Sequence, residues 1–262
     1  MSAVEVKIEN RVGTVTYNNP PLNILTMANL QEIEDAVAEL DKNDEVAVIV
    51  FTMAMQKDGK IFCAGMDLDE MLATQEDPNG IEEYCRVSKQ NYTILHRVKK
   101  PVIYVFDGVV RGGGCEMSLL ADIRLSGTHL NLALPEIGIG IIPGGGGTQT
   151  LQRLIGTANA KALIYSGDVI RSERAYELGL VQEVYESDEL LEKAQEYAEK
   201  IAKHSALGLQ AAKRAINDGQ YKPLEEGLAM ETEVFVENFK TEDAAEGITA
   251  FKEKRKPVYK NR

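Results

Sequence analysis

The sequence is short of the residues that staple or metallate a protein. Only three cysteines, Cys63, Cys85 and Cys115, are spread over 262 residues. Their number is odd and no pair has CxxC spacing, which excludes a disulfide framework and a paired-cysteine metal site and points to a reducing compartment. Cys115 has no evident base to make it a nucleophile and reads as packing. The three histidines, His96, His129 and His204, are scattered without metal spacing, and no HExxH is present. They read as structural or surface residues. Basic charge is also scarce: 29 Lys and Arg face 41 Asp and Glu, a net charge of −12. That disfavours nucleic acid as a partner, since such binding rests on many phosphate contacts. No apolar run reaches membrane-spanning length, and the N-terminal MSAVEVKIENRV lacks an apolar signal core. There is no GxxxxGK[ST] and no GxSxG, and Gly138-Ile-Gly140-Ile-Ile-Pro143 misses the last glycine of a dinucleotide fingerprint. The expectation from these absences is a cytoplasmic, metal-free protein with neither a membrane nor a nucleic acid as partner.

What is present patterns as α/β. Val4, Val6 and Ile8 alternate with charged residues, as in a half-buried strand, and Val12 to Tyr17 offers a second strand ended by Pro20 and Pro21. Thr26 is placed to cap a helix whose Leu30, Ile33, Val37 and Leu40 share a face. Val46 to Thr52 and Val102 to Phe106 read as strands buried on both faces. Thr74 to Gly80 reads as a polar loop and Ile81 to Lys99 as one helix. Leu151 to Gly179 supplies short helices and Val181 to Val184 a last strand. Beyond about residue 200 only helices follow: Ser205 to Asn217, Pro223 to Asn238 and Thr241 to Lys254. The expectation is an α/β core over residues 1–200 carrying the active site, with a helical region over 201–262.

The chemistry concentrates between Val102 and Gly156. Gly112-Gly113-Gly114 follows a strand and opens a helix, so its free N–H groups can hold an anion or a developing oxyanion. A carboxylate at Glu116, in the first helical turn, either complements the helix dipole or works in a site. Glu136 is flanked by Leu134, Ile137 and Ile139, and burial there would raise its pKa. It would then pair with Arg111 or Arg124, or serve as an acid–base group.

Four motifs in order carry a resemblance: FCAGMD (Phe62–Asp67), GGGCE (Gly112–Glu116), LPEIGIGIIPGGGGTQ (Leu134–Gln149) and FKEKRK (Phe251–Lys256). Together they are similar to the crotonase (enoyl-CoA hydratase/isomerase) superfamily, from about Val4 to the C-terminus. The resemblance implies a spiral of repeated ββα units with a helical C-terminal region that builds homotrimers or hexamers. It implies reversible syn hydration of a trans-2-enoyl-CoA, with coenzyme A as part of the substrate and no separate cofactor. In that reading the backbone N–H groups of Met66 and Gly113 form an oxyanion hole, and Glu116 and Glu136 hold the water. Ala64 accepts from the adenine through its carbonyl, with Gly65, Asp67, Leu68 and Gly112 as further substrate-binding residues. Phe235 and Lys254 reach the CoA of a neighbouring subunit. The six basic side chains of residues 252–262 would guide the nucleotide. Alternatives are a double-bond isomerase, disfavoured by the second glutamate at Glu116, an RNA-binding member of the family, and an acyl-CoA binder without turnover. Arg111 and Asp107 depart from the residues common in the family. Arg111 would recognise an acidic acyl group, pair with Asp107, or contact a neighbouring subunit.

Overall fold

The computed structural model describes residues 2–262. Ten strands form two sheets: β1 (Val4–Glu9), β2 (Val12–Tyr17), β3 (Val48–Met53), β4 (Ile61–Cys63), β5 (Val102–Phe106), β6 (Val109–Arg111), β7 (Ile123–Gly127), β8 (Asn131–Ala133), β9 (Ile170–Arg171) and β10 (Glu183–Tyr185). The larger sheet runs β1-β2-β3-β5-β7-β10 and the smaller β4-β6-β8-β9. Three times in succession, β3 to β4, β5 to β6 and β7 to β8, the chain gives one strand to the larger sheet and the next to the smaller. Helices then return it: α2 (Leu68–Ala73), α3 (Gly80–Tyr92) and α4 (Ile94–Arg97) after β4, α5 (Gly113–Ser118) after β6, and α6 (Gly147–Ile155) and α7 (Thr157–Ser166) after β8. This is the spiral of ββα units that the resemblance implied.

Between the sheets lies an aromatic wedge. Phe51 stacks on Tyr104 at 5.1 Å, Tyr104 meets Phe106 edge-on at 5.4 Å, and Phe62 of the smaller sheet packs against Phe106 at 6.3 Å. Such geometries suit ring quadrupoles and fix the spacing of the two sheets. Helix α1 (Met27–Lys42) adds the buried Leu30, Ile33, Val37 and Leu40, and Thr26 accepts from Asn29 N–H as its cap. On the other face of the larger sheet lies α9 (Leu190–Ala202), which follows the short α8 (Ser172–Glu177). Its small residues Ala194, Ala198 and Ala202 come close to Val48, Val50 and Ile103. Because α9 ends at Ala202, the 200/201 division drawn from the sequence falls within its last turn. Helices α10 (Ala206–Gly219), α11 (Leu224–Phe239) and α12 (Glu242–Glu253) complete the chain. Lys213 ties α10 to the core through Asp122 Oδ2 at 2.7 Å and the Lys100 carbonyl at 3.0 Å.

Three local expectations are corrected. Strand β1 is less buried than expected: it is a sheet edge on which only Val4 packs partly against the core, while Val6 and Ile8 are exposed at 44% and 40%. The helical run from Ile81 to Lys99 is broken at Thr93, whose hydroxyl donates to the Gln90 carbonyl at 3.0 Å, giving α3 and α4. Residues Thr74–Glu76 are a 3-10 turn rather than open loop.

Candidate active site

Strand β6 enters α5 through Gly112, whose φ of 48° and ψ of −119° suit a residue without a Cβ. A Cβ there would also stand 3.1 Å from Glu136 Oε1, so the turn and this carboxyl are adjacent. Gly113 is the first residue of α5, and its N–H has no acceptor among the described residues. A second free amide comes from the turn after β4. Leu25 donates to the Gly65 carbonyl at 2.8 Å and Asp67 to the Leu25 carbonyl at 2.9 Å, which turns the Met66 N–H away from Leu25 and leaves it without an acceptor among the described residues. The two turns abut. A Cβ built on Gly65 would lie 3.9 Å from the Gly113 nitrogen, and one on Gly113 would lie 3.1 Å from Met66 Cγ.

Glu116 projects from the first turn of α5 into the interior, with only 3% of its surface exposed. Its Oε1 accepts from the Gly147 N–H at 2.8 Å. The second glycine run is therefore a carboxylate cradle: a Cβ on Gly145 would come 2.8 Å from Glu116 Oε2, and one on Gly147 3.0 Å from Oε1. Burial pushes the Glu116 carboxyl up to about 7; nearby Glu136 raises it further, while the amides of Gly147 and Gly145 oppose the shift. Glu136 opens a 3-10 turn, Glu136–Ile139, and burial raises its pKa too. Its Oε2 is buried with no hydrogen-bond partner among the described residues. Of the apolar neighbours from which its burial was read, Leu134 is buried, whereas Ile137 and Ile139 are 42% and 60% exposed, Ile139 on the wall of the same cavity as the acid.

Neither arginine proposed as its partner is available. Arg111 donates to the Val110 carbonyl, the Asn131 carbonyl and Asn131 Oδ1, along the smaller sheet. Arg124 donates to the carbonyls of Leu180, Ala121 and Ser118. Asp107 is not an Arg111 partner; His129 Nδ1 lies 4.0 Å from it.

These groups share one cavity of about 900 Å³, lined by Ala64, Gly65, Met66, Leu68, Gly112, Gly113, Glu116 and Glu136. Three residues proposed from the sequence are not on its wall. Asp67 caps α2, accepting from the N–H groups of Asp69 and Glu70. Phe235 stacks on Phe239 on the exposed face of α11, and Lys254 ends α12 at the surface. The basic tail is also thinner than its count: Arg255 is bound to Glu246 and Glu253, and Arg262 to Glu242.

Two phenols escaped the sequence reading. Tyr84 and Tyr92 line the cavity from α3, and the hydroxyl of each is buried without a partner among the described residues. Tyr92 fits between the glycine runs: a Cβ on Gly113 would sit 2.3 Å from its hydroxyl, and one on Gly145 2.6 Å from Cε2. Burial, then the charge of Glu116, holds its pKa well above the ordinary value, so the phenol stays neutral. Helical spacing placed both tyrosines on one face of α3, but nothing in that spacing separates a site aromatic from a core one.

The titration of Glu116 has a stability consequence. Its folded pKa, about 7, lies above the ordinary 4.5. The neutral form is thus favoured by folding, and that stability is fully present below pH 4.5 and lost as pH rises through 7. A Gln at this position stays neutral and can still accept from Gly147. Glu116→Gln is therefore expected to gain about 2–4 kcal/mol over the parent between pH 4.5 and pH 8. Denaturant unfolding of both proteins across that window checks it. A difference that does not change with pH would show that the carboxyl is not perturbed.

Two free amides beside one buried and one half-buried carboxyl, both of raised pKa, in a cavity open to solvent, suit proton transfer next to a polarised carbonyl. The fold around them is that of the crotonase enzymes. An enoyl-CoA hydratase crystal structure from Bacillus anthracis superposes with a TM-score of 0.92 at 35% identity, covering 99% of this chain and all of that one. Over residues 7–262 the sequence matches the family model described as enoyl-CoA hydratase/isomerase, and the chain belongs to that family. Among its relatives are the short-chain-enoyl-CoA hydratase of Clostridium acetobutylicum, 37% identical over all of this chain and 99% of that one, and the 2,3-dehydroadipyl-CoA hydratase of Escherichia coli, 38% identical over the full length of both.

Proposed function

We infer that this protein is an enoyl-CoA hydratase, adding water reversibly and syn across a trans-2-enoyl-CoA to give the 3-hydroxyacyl-CoA. The observation that carries this is the pairing of a buried carboxyl, Glu116, and a half-buried one, Glu136, on one cavity beside the Met66 and Gly113 amides. The thioester oxygen sits on the two amides, which stabilise the enolate charge as it forms; one such donor is worth roughly 3–4 kcal/mol in other enzymes. Water lies between the carboxyls. Glu116 takes a proton from the water as its oxygen bonds to Cβ, and the proton held by the pair is given to Cα through Glu136. A raised pKa on both acids keeps one proton available to the pair near neutral pH. Glu116 also favours hydration over isomerisation, since shifting a double bond needs only one group to move one proton. Loss of the enoyl thioester absorbance on mixing enzyme with trans-2-enoyl-CoA substrates is the expected result. Silence with straight, branched and cyclic acyl groups alike would end this reading.

Self-association is part of the proposal. Ile216, Leu224, Phe235 and Phe251 stand exposed on the C-terminal helices, Phe251 at 85%, and apolar surface of this extent marks an interaction face. A homotrimer or hexamer is expected by light scattering, and a monomer at assay concentration would refute it. Three free cysteines, two of them buried, fit a reducing, cytoplasmic setting.

A further inference from the structure

Helix α3 faces the cavity along a single stripe that includes Ile81, Tyr84, Cys85, Ser88, Lys89 and Tyr92, the spacing of one helix face. Its Tyr92 end lies against Gly113, Gly145 and Glu116. Lys89 stands one turn before Tyr92, at the acid end of the cavity, and its charge is felt at Glu116, whose proton affinity it lowers. The neighbouring cations are occupied. Arg86 is paired with Glu83 at 2.6 Å, Arg97 with Glu34 at 2.8 Å, and Arg111, the other cation on the cavity wall, is held by Asn131. The Lys89 ammonium has no ion pair or hydrogen bond among the described residues; the residue is exposed and lines both this cavity and a shallow groove shared with Glu82, Arg86 and Gln90. The rest of the wall is apolar, as at Leu120 and Ile142, neutral and polar, as at Thr93 and Gln149, or acidic, as at Glu116 and Glu136.

A hydrocarbon tail gains nothing from an unpaired ammonium. A tail ending in a carboxylate would meet repulsion from the ionised member of the glutamate pair unless a cation faced it; Arg111 is tied to Asn131 along the smaller sheet, and Lys89 is the cation on this wall whose side chain has no partner among the described residues. We propose that the acyl group this cavity takes ends in a carboxylate held by Lys89, so that the substrates are trans-2-enoyl-CoA monothioesters of dicarboxylic acids. This rests on the hydratase reading and narrows it.

The test compares kcat/KM for pairs of trans-2-enoyl-CoA of equal length, one methyl-ended and one carboxylate-ended, across a series stepped by one methylene. The native enzyme is expected to prefer the carboxylate at one length or more. Lys89→Met, which keeps most of the stem and removes the charge, is expected to reduce that preference roughly tenfold to a hundredfold, and Lys89→Glu to invert it. Preference for the methyl-ended member at every length overturns the inference. So does an equal fall for both members in Lys89→Met, the signature of a contact to the CoA phosphates that all substrates share. In both cases hydration itself persists and the hydratase reading stands. No hydration of either member at any length overturns that reading, and this inference with it.

Discussion

Glu136→Gln is expected to lower kcat for hydration by about 10²–10⁴-fold, the usual worth of a positioned acid–base group. The amide has nearly the shape of the acid and still fits beside Gly112, so binding of the thioester changes little and the loss falls on kcat. The proposed role makes a sharper demand. Glu136 moves the Cα proton, and Glu116 the proton of the water. In deuterated water, exchange of the Cα hydrogen should stop in Glu136→Gln and persist in Glu116→Gln, although both lose hydration. The Oε2 of Glu136, buried and without a partner, is the atom placed to carry that proton. Hydration by Glu136→Gln within a few-fold of the parent would remove it from the chemistry. Exchange lost in Glu116→Gln and retained in Glu136→Gln would mean the two roles are reversed.

The second large effect is expected at Gly113. Its added methyl in Gly113→Ala would lie 2.3 Å from the Tyr92 hydroxyl and 3.1 Å from Met66 Cγ. The phenol cannot step aside: Tyr92 is 1% exposed, and its other ring edge is against Gly145. The start of α5 must shift, and with it the amide proposed to hold the thioester oxygen. Loss of one such donor costs about 10²–10³ in kcat, and overpacking destabilises by about 1–3 kcal/mol. Tyr92→Phe removes the obstructing atom, so Gly113→Ala combined with Tyr92→Phe should recover part of both losses. This rescue separates a steric displacement from general damage. A Gly113→Ala enzyme with parental kcat, or a double variant no better than the single one, would contradict the geometry.

Legibility in the sequence followed the range of the interactions. Local patterns were readable: the Thr26 cap, the apolar face of α1 and the fully buried β3 each depend on neighbours within a few residues. The alternation of strands between two sheets was not readable from periodicity, because β4, β6 and β8 are only three residues long and carry no period. It came from the resemblance. Glu116 and Glu136, singled out in the sequence, both lie on the cavity wall, yet of the apolar neighbours from which the burial of Glu136 was argued only Leu134 is itself buried. The close approach of Gly112, far away in sequence, was not readable. The partner of Glu116 was likewise hidden, since the acceptor-free amides of the second glycine run look the same in sequence whether they meet a phosphate, a carboxylate or water. Arg111 was ambiguous for the opposite reason. A guanidinium has many donors, and only the neighbouring strand shows that Asn131 takes them.

The cavity is built from two kinds of wall. The reacting groups hang from β6, α5 and the glycine loop before α6, which are anchored to both sheets. The α3 stripe on the cavity wall comes from an excursion between β4 and β5. The groups placed for chemistry and this lining stripe are thus carried by separate segments of the chain, so one helix face can be rewritten while the strands and turns that bear the amides and the acids keep their sequence.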